Sequence, residues 1–204
     1  MRKPVPMIRK QKRSARSADA VIARRMMAIV LVAVVAGLQP AAAATINVTA
    51  ERHGETVEIH ASALLNAEAA TAWRVLTDYG RYAEFVPDLR ESRVVARRGA
   101  TIVVEQSGDA RLWLLRMPLD IKFEITESAP HGVHSRAVAG SLRALESSYV
   151  LTPAPHGVYL EYTGHVTPGF ELFGALEQYA VEQNITRQFQ ALADEIERIG
   201  AAGR

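Results

Sequence analysis

The chain has 204 residues, 49% of them hydrophobic and none of them cysteine. This is the composition of a globular domain held by its core alone, and it excludes disulfides, thiolate chemistry and Cys-based metal sites. Charge is unevenly placed: residues 1–44 carry nine Lys or Arg against Asp19 alone, so a chain of net charge +2 has +8 in this segment and −6 in the remainder. That acidic remainder, whose single lysine is Lys122, argues against a nucleic-acid partner, which would be held largely by cationic side chains.

The basic stretch is followed by an uncharged apolar run, Met26 to Leu38, then Gln39-Pro40 and four alanines, Ala41 to Ala44. This is the pattern of a signal peptide cleaved after Ala44 that delivers the domain 45–204 to the periplasm. The competing reading is an inner-membrane anchor formed by residues 26–46, because uncharged residues continue through Val48 and about 20 of them span a bilayer.

Thr56 to Leu64 alternates Val57, Ile59, Ala61 and Ala63 with Glu58, His60 and Ser62, which predicts a half-buried first strand. Asn66 stands where a helix N-cap belongs, ahead of Ala69, Ala72, Trp73, Leu76 and Tyr79 at helical spacing, and Arg81 to Val86 predicts a second short helical turn stopped by Pro87. Six further strands follow, at Ser92–Arg97, Thr101–Ser107, Arg111–Thr126, His134–Gly140, Arg143–Thr152 and Gly157–Val166, with turn signals at Gly99, Gly108-Asp109, Pro130 to Gly132 and Pro153 to Gly157. In the longest, Trp113, Leu115, Met117, Leu119, Ile121, Phe123 and Ile125 share one face; Pro118 predicts a bend, a bulge or an edge position there. Pro168-Gly169 ends the strands, and Glu171 to Ile199 reads as one long helix with Ile185, Phe189, Leu192, Ile196 and Ile199 in a stripe; its acids, Glu195 among them, read as a solvated face. A strand, two short helices, six antiparallel strands and a long helix pack most simply as an α+β fold in which a curved sheet of about seven strands grips the terminal helix.

The residues Trp73-Arg74-Val75-Leu76-Thr77-Asp78-Tyr79, Tyr82 and Phe85-Val86-Pro87 resemble the W-x-V-L-T-D-Y-x-x-Y-x-x-F-V-P opening of the START-like polyketide cyclase/dehydrase and coenzyme Q-binding family. Gly140, Arg143, the Ser148 to Leu151 strand, Leu160-Glu161-Tyr162 and Pro168 fit as well, while Ser141, Leu142 and Tyr149 depart from the family's usual acidic, aromatic and tryptophan residues. The resemblance extends over Thr56 to Ile199. It implies a helix-grip (START/Bet v 1-like) fold with a cavity between sheet and C-terminal helix, filled in various members by lipids, quinones or polyketides.

With that implication, Phe85, Trp113, Leu115, Met117, Phe123, Tyr149, Tyr162, Phe173 and Tyr179 are the candidate ligand-binding residues, the alternative for each being ordinary core. Glu105, Arg116, Arg136 and Arg143 are candidates for charged groups turned into the pocket, against the commoner placement of strand charges in water. His131 and His134 lie at a turn with no third ligand near, so no metal is expected, and the absence of Gly-rich phosphate loops gives no support to a nucleotide cofactor. The leading expectation is a periplasmic binding or carrier protein for a lipid, a quinone or another hydrophobic small molecule, with transient membrane contact. The alternatives are a cyclase/dehydratase-type enzyme using the same cavity and an envelope interaction module whose cavity is filled.

Overall fold

The computed structural model describes residues 44–112, 115–169 and 175–203; the expected signal segment up to residue 43 lies outside them. Eight strands form one antiparallel sheet: β1 (Ile46–His53), β2 (Thr56–Leu65), β3 (Leu89–Arg98), β4 (Thr101–Leu112), β5 (Leu115–Ser128), β6 (Gly132–Gly140), β7 (Ala144–Ala154) and β8 (Gly157–Thr167). Their order across the sheet is β1-β2-β8-β7-β6-β5-β4-β3. Between β2 and β3 run α1 (Ala69–Leu76), a 3₁₀ turn (Tyr79–Arg81) and α2 (Tyr82–Phe85); α3 (Ala175–Ala202) follows β8.

The expected architecture holds, with three corrections. An additional strand, β1, pairs with β2 from Ile46↔Ala63 to His53↔Thr56; its alternation of Ile46, Val48 and Ala50 merges in sequence with the uncharged run before it. The expected strand Arg111–Thr126 is two, because β4 continues to Leu112 and turns directly into β5, with Leu112 opposite Leu115. The Gly108-Asp109 turn signal therefore sits inside β4. Glycine is needed there for proximity: a Cβ on Gly108 would lie 2.5 Å from the Asp88 carbonyl oxygen of the α2–β3 loop. Finally, Asn66 is not the cap of α1. Glu68 holds that position without a side-chain hydrogen bond, and the Asn66 amide donates to Glu197 Oε1 of α3 at 2.8 Å.

Pro118 occupies an edge in the local sense. β6 joins β5 only from Ile121 onward, so residues 115–120 are paired on one side alone, with β4, and a missing donor on the free side costs no ladder bond. The β4–β5 ribbon thus extends past the sheet. β6 and β7 pair only from Gly132↔Val150 to Arg136↔Glu146, and the sheet opens beyond that point.

The helix α3 buries the middle and end of its stripe: Phe189, Leu192, Ala193 and Ile196 join Val57, Ile59, Leu65, Leu160 and Ala72 in the core, with Ile185 and Ile199 partly buried at the ends. Glu195 departs from the expected solvated face. It is 7% exposed and receives both Arg198 Nε and Nη2, at 2.7 and 2.8 Å, with Arg81 Nη2 at 3.6 Å. Ala44 is also buried, and its carbonyl accepts from Gln190 Nε2 at 3.0 Å. Among the described residues no helix is long and apolar enough to cross a membrane.

Candidate ligand-binding site

Where the sheet opens, a cavity of about 240 Å3 lies between its inner face and the first half of α3. A void holding one water needs only about 10–15 Å3, so this is no packing defect. Successive strand residues alternate faces, and in β5 that alternation turns Met117, Leu119, Ile121, Phe123 and Ile125 inward. Facing them, α3 presents Val181, Asn184, Ile185, Gln188 and Leu192 at three- and four-residue steps. The segment after α1 contributes Tyr79, Tyr82 and Val86; β6, β7 and β8 contribute Ser135, Ser147, Tyr149 and Tyr162.

The polar groups fall into two sets. Charged ones gather where Asp88 lies, a residue held at φ 65° with its carboxylate 8% exposed. Asp88 Oδ1 accepts from Arg111 Nε at 2.7 Å, and Arg187 Nη2 stands 3.7 Å from Oδ2. Asn184 ties β4 to α3: its Oδ1 accepts from the Arg111 amide at 3.0 Å and from Arg187 Nη2 at 2.7 Å, while its Nδ2 donates to the Arg111 carbonyl at 2.7 Å. Asp109, the other acid on the lining, is paired with Arg90 at 2.7 Å. The two acids are thus neutralised by arginines, while Arg187 Nε is buried without a hydrogen-bond partner among the described residues.

The second set is neutral. Ser135 and Ser147 share a hydrogen bond of 2.8 Å across β6 and β7, and Ser147 is near enough to the Tyr162 hydroxyl to oppose the rise of its pKa. The rings of Tyr149 and Tyr162 lie 4.8 Å apart. Burial pushes the Tyr162 phenol up to about 12, with Ser147 opposing; it raises Tyr149 well above the usual phenol value, with the neighbouring Tyr162 and Tyr82 adding. Tyr82, which donates to the Leu76 carbonyl at 2.7 Å, and Tyr79, which donates to Glu127 at 3.0 Å, are raised by burial too, Tyr79 with help from Glu127. All four therefore stay protonated and act as donors. Gly164 makes room for this set, since a Cβ there would collide with the Tyr162 hydroxyl.

Of the nine expected ligand-binding residues, Met117, Phe123, Tyr149 and Tyr162 come together on the lining. Trp113, Phe173 and the side chain of Leu115 lie outside the described residues. Phe85 is not on the wall: it packs against Tyr82 at 5.4 Å, and Tyr82 and Val86 face the cavity instead. Tyr179 is a correction, because it precedes the lining residue Ala180 and so points about 100° away from it around α3, where it is 55% exposed.

The charged strand candidates take the outer face. Glu105 is bonded by Lys122 at 2.7 Å and by Arg93 at 2.7 Å, which hold its carboxyl below the usual range. Arg136 pairs with Glu124 at 3.1 Å, and Arg116 is exposed. Arg143 bonds the Pro168 carbonyl at 3.0 Å and Glu55 at 3.1 Å. Sequence reasoning missed Ser135, Ser147 and Asn184. The available signal was a small or polar residue on an otherwise apolar parity or stripe: Val133-x-Ser135, Leu145-x-Ser147-x-Tyr149, and Val181-x-x-Asn184-Ile185.

The profile of the family described as polyketide cyclase/dehydrase and lipid transport matches residues 56–197. Solved structures share the fold at low identity. A STAR-related lipid transfer protein fragment from Xanthomonas axonopodis is 19% identical over 78% of this chain and 96% of its own, with a TM-score of 0.63. The Zhui aromatase/cyclase from Streptomyces sp. R1128 is 15% identical over 78% and 99%, with a TM-score of 0.58. Human StAR-related lipid transfer protein 5 is 11% identical over 88% and 98%, with a TM-score of 0.60. No curated protein matches the chain by sequence.

Proposed function

The chain belongs to the polyketide cyclase/dehydrase and lipid transport family, and we propose that it is a carrier that holds a hydrophobic small molecule, a lipid, a quinone or a polyketide-like compound, without covalent chemistry. One observation carries this reading: the cavity between sheet and α3 is walled mainly by aliphatic and aromatic side chains, with its polar groups few and placed, which is the makeup of small-molecule sites. The relatives in the fold bear names of both lipid transfer and cyclisation, so the lining has to choose between them. Acid–base catalysis works through a group whose pKa lies near the working pH, and burial holds the phenols of Tyr79, Tyr82, Tyr149 and Tyr162 on the lining well above it. Among the described residues the acids of the lining, Asp88 and Asp109, are occupied by Arg111 and Arg90, and the candidates Glu105, Arg136 and Arg143 are engaged outside the cavity. That distribution favours holding over conversion.

The basic and apolar segment ending at Ala44 supports a periplasmic place of action for the domain 45–204, with ligand exchange at a membrane surface. Native mass spectrometry of the protein purified from the envelope of its own host, followed by solvent extraction, tests the reading. The expected result is a retained apolar compound that extraction releases. Protein at its bare mass that also fails to bind apolar fluorescent probes would overturn it.

A further inference from the structure

Among the described residues, the wall formed by β6, β7 and β8 holds one hydrogen-bond donor without a partner. Among the described residues no group bonds the Tyr149 hydroxyl, whereas Tyr82 donates to the Leu76 carbonyl and Tyr79 to Glu127. The residue is half-buried and stands on the cavity lining. The hydroxyl is not sealed in, because it is absent from the buried atoms left without a partner. The surface it retains is cavity surface. A buried donor left without a partner costs roughly 1–3 kcal/mol, so an occupant that supplies an acceptor at this point gains what an equally sized hydrocarbon does not.

The charge of the lining sets the kind of acceptor. Among the described residues no Lys, Arg or His lines the cavity, and its only charged members are the acids Asp88 and Asp109. A carboxylate or phosphate pushed against Tyr149 would lose its hydration and find no cation. A neutral oxygen loses little and is met by the phenol, with the Ser135–Ser147 pair beside it able to donate one further proton.

Resting on the carrier reading above, we infer that Tyr149 is the specificity-determining residue of the cavity and that the ligand class is an uncharged apolar molecule bearing a carbonyl or hydroxyl oxygen, which Tyr149 binds. The raised affinity of this phenol for its proton keeps it a donor across the whole working pH range.

The test uses the full chain and three naphthalene probes of nearly equal size, acetylnaphthalene, isopropylnaphthalene and naphthoate, titrated by intrinsic fluorescence or calorimetry. Acetylnaphthalene is expected to bind about five- to tenfold more tightly than isopropylnaphthalene, the ratio one net hydrogen bond gives, and naphthoate weakest of the three. Tyr149→Phe is expected to erase the preference for the ketone without weakening the hydrocarbon's binding, which rises where an unpaired donor had opposed it, a result that a merely structural role would not give. Ser147→Ala is expected to reduce the preference without abolishing it. If wild type binds ketone and hydrocarbon equally, or Tyr149→Phe retains the preference, or naphthoate binds best, the inference is wrong while the carrier reading stands. If no probe binds, the carrier reading itself has failed.

Discussion

The two halves of the sheet–helix interface are built from similar residues and end in opposite states. The second half of α3 meets β1, β2 and α1 with Phe189, Ala193 and Ile196 at 1% exposure or less. The first half faces β5 to β7 with Val181 and Ile185 across an open space and meets β4 through Asn184. The difference comes from the strands. β2 and β8 pair continuously from Val57↔Val166 to Leu65↔Val158 and offer α3 a closed floor, whereas the β6–β7 ladder stops at Arg136↔Glu146 and the β4–β5 ribbon runs on alone. A hollow is thus made by ending hydrogen-bond ladders early, and the polar residues Ser135, Ser147 and Asn184 stand where it opens.

The sharpest way to break that comparison is to remove a phenyl ring from each half. Phe189→Ala deletes a ring packed on every side and is expected to destabilise the domain by about 3–5 kcal/mol. Phe123 already has the cavity along part of its surface, so fewer contacts are lost, and Phe123→Ala is expected to cost clearly less, about 2 kcal/mol or under. Urea denaturation of the two variants checks this. Equal losses would mean that the cavity is closed in solution.

An intermediate effect is expected at alkaline pH and belongs to the hollow half. Tyr79, Tyr82, Tyr149 and Tyr162 have phenols raised above their ordinary value, burial being the largest cause for each. The unfolded chain releases these protons near pH 10, so above it the folded state binds more protons than the unfolded one and stability falls as pH rises, by about 1.4 kcal/mol per pH unit for each phenol. Below about pH 10 the contribution is fully present. Tyr149→Phe removes one phenol, and the slope of stability against pH above 10 is expected to flatten by one proton's worth. An unchanged slope would show that Tyr149 is reached by bulk water.

The halves also differed in how far they could be read from the residues. The solid half and the strand faces were legible because they obey fixed periods: the α3 stripe through Phe189, Leu192 and Ile196, and the β5 face through Met117 and Phe123, are where the alternations put them. β1 was not legible, since Ile46 and Val48 continue the uncharged run that precedes them. The junction of β4 and β5 was hidden for a different reason: Leu112 pairs with Leu115, and the sequence from Arg111 to Arg116 contains none of the Gly, Asn or Asp that mark tight hairpins. Within the cavity, Tyr149 and Tyr162 were found as aromatics on strand faces. Ser135, Ser147 and Asn184 were not, because only the three-dimensional pairing shows that they face one another's elements. Asp88 is a loop residue whose role depends on Arg111, distant from it in sequence.

The smallest expected effect tests the solid half at acid pH. Glu195 is buried there between Arg198, whose two bonds are the largest cause of its lowered pKa, and Arg81, which adds to them. A carboxyl held lower in the folded state than in the unfolded one contributes stability above its unfolded value, about pH 4.3, and that contribution disappears as pH falls through the folded value. Because Arg198 and Arg81 are 63% and 43% exposed, water screens both partners and the net gain is small. Glu195→Gln keeps the shape and removes the charge. Wild type is expected to be modestly more stable than this variant at pH 7, with the difference shrinking as pH falls from about 4.3 to 3, as read by urea midpoints at pH 7 and pH 3. A difference undiminished at pH 3 would show that Glu195 acts through packing and neutral hydrogen bonds. In that event the acid sensitivity of the solid half has to arise elsewhere.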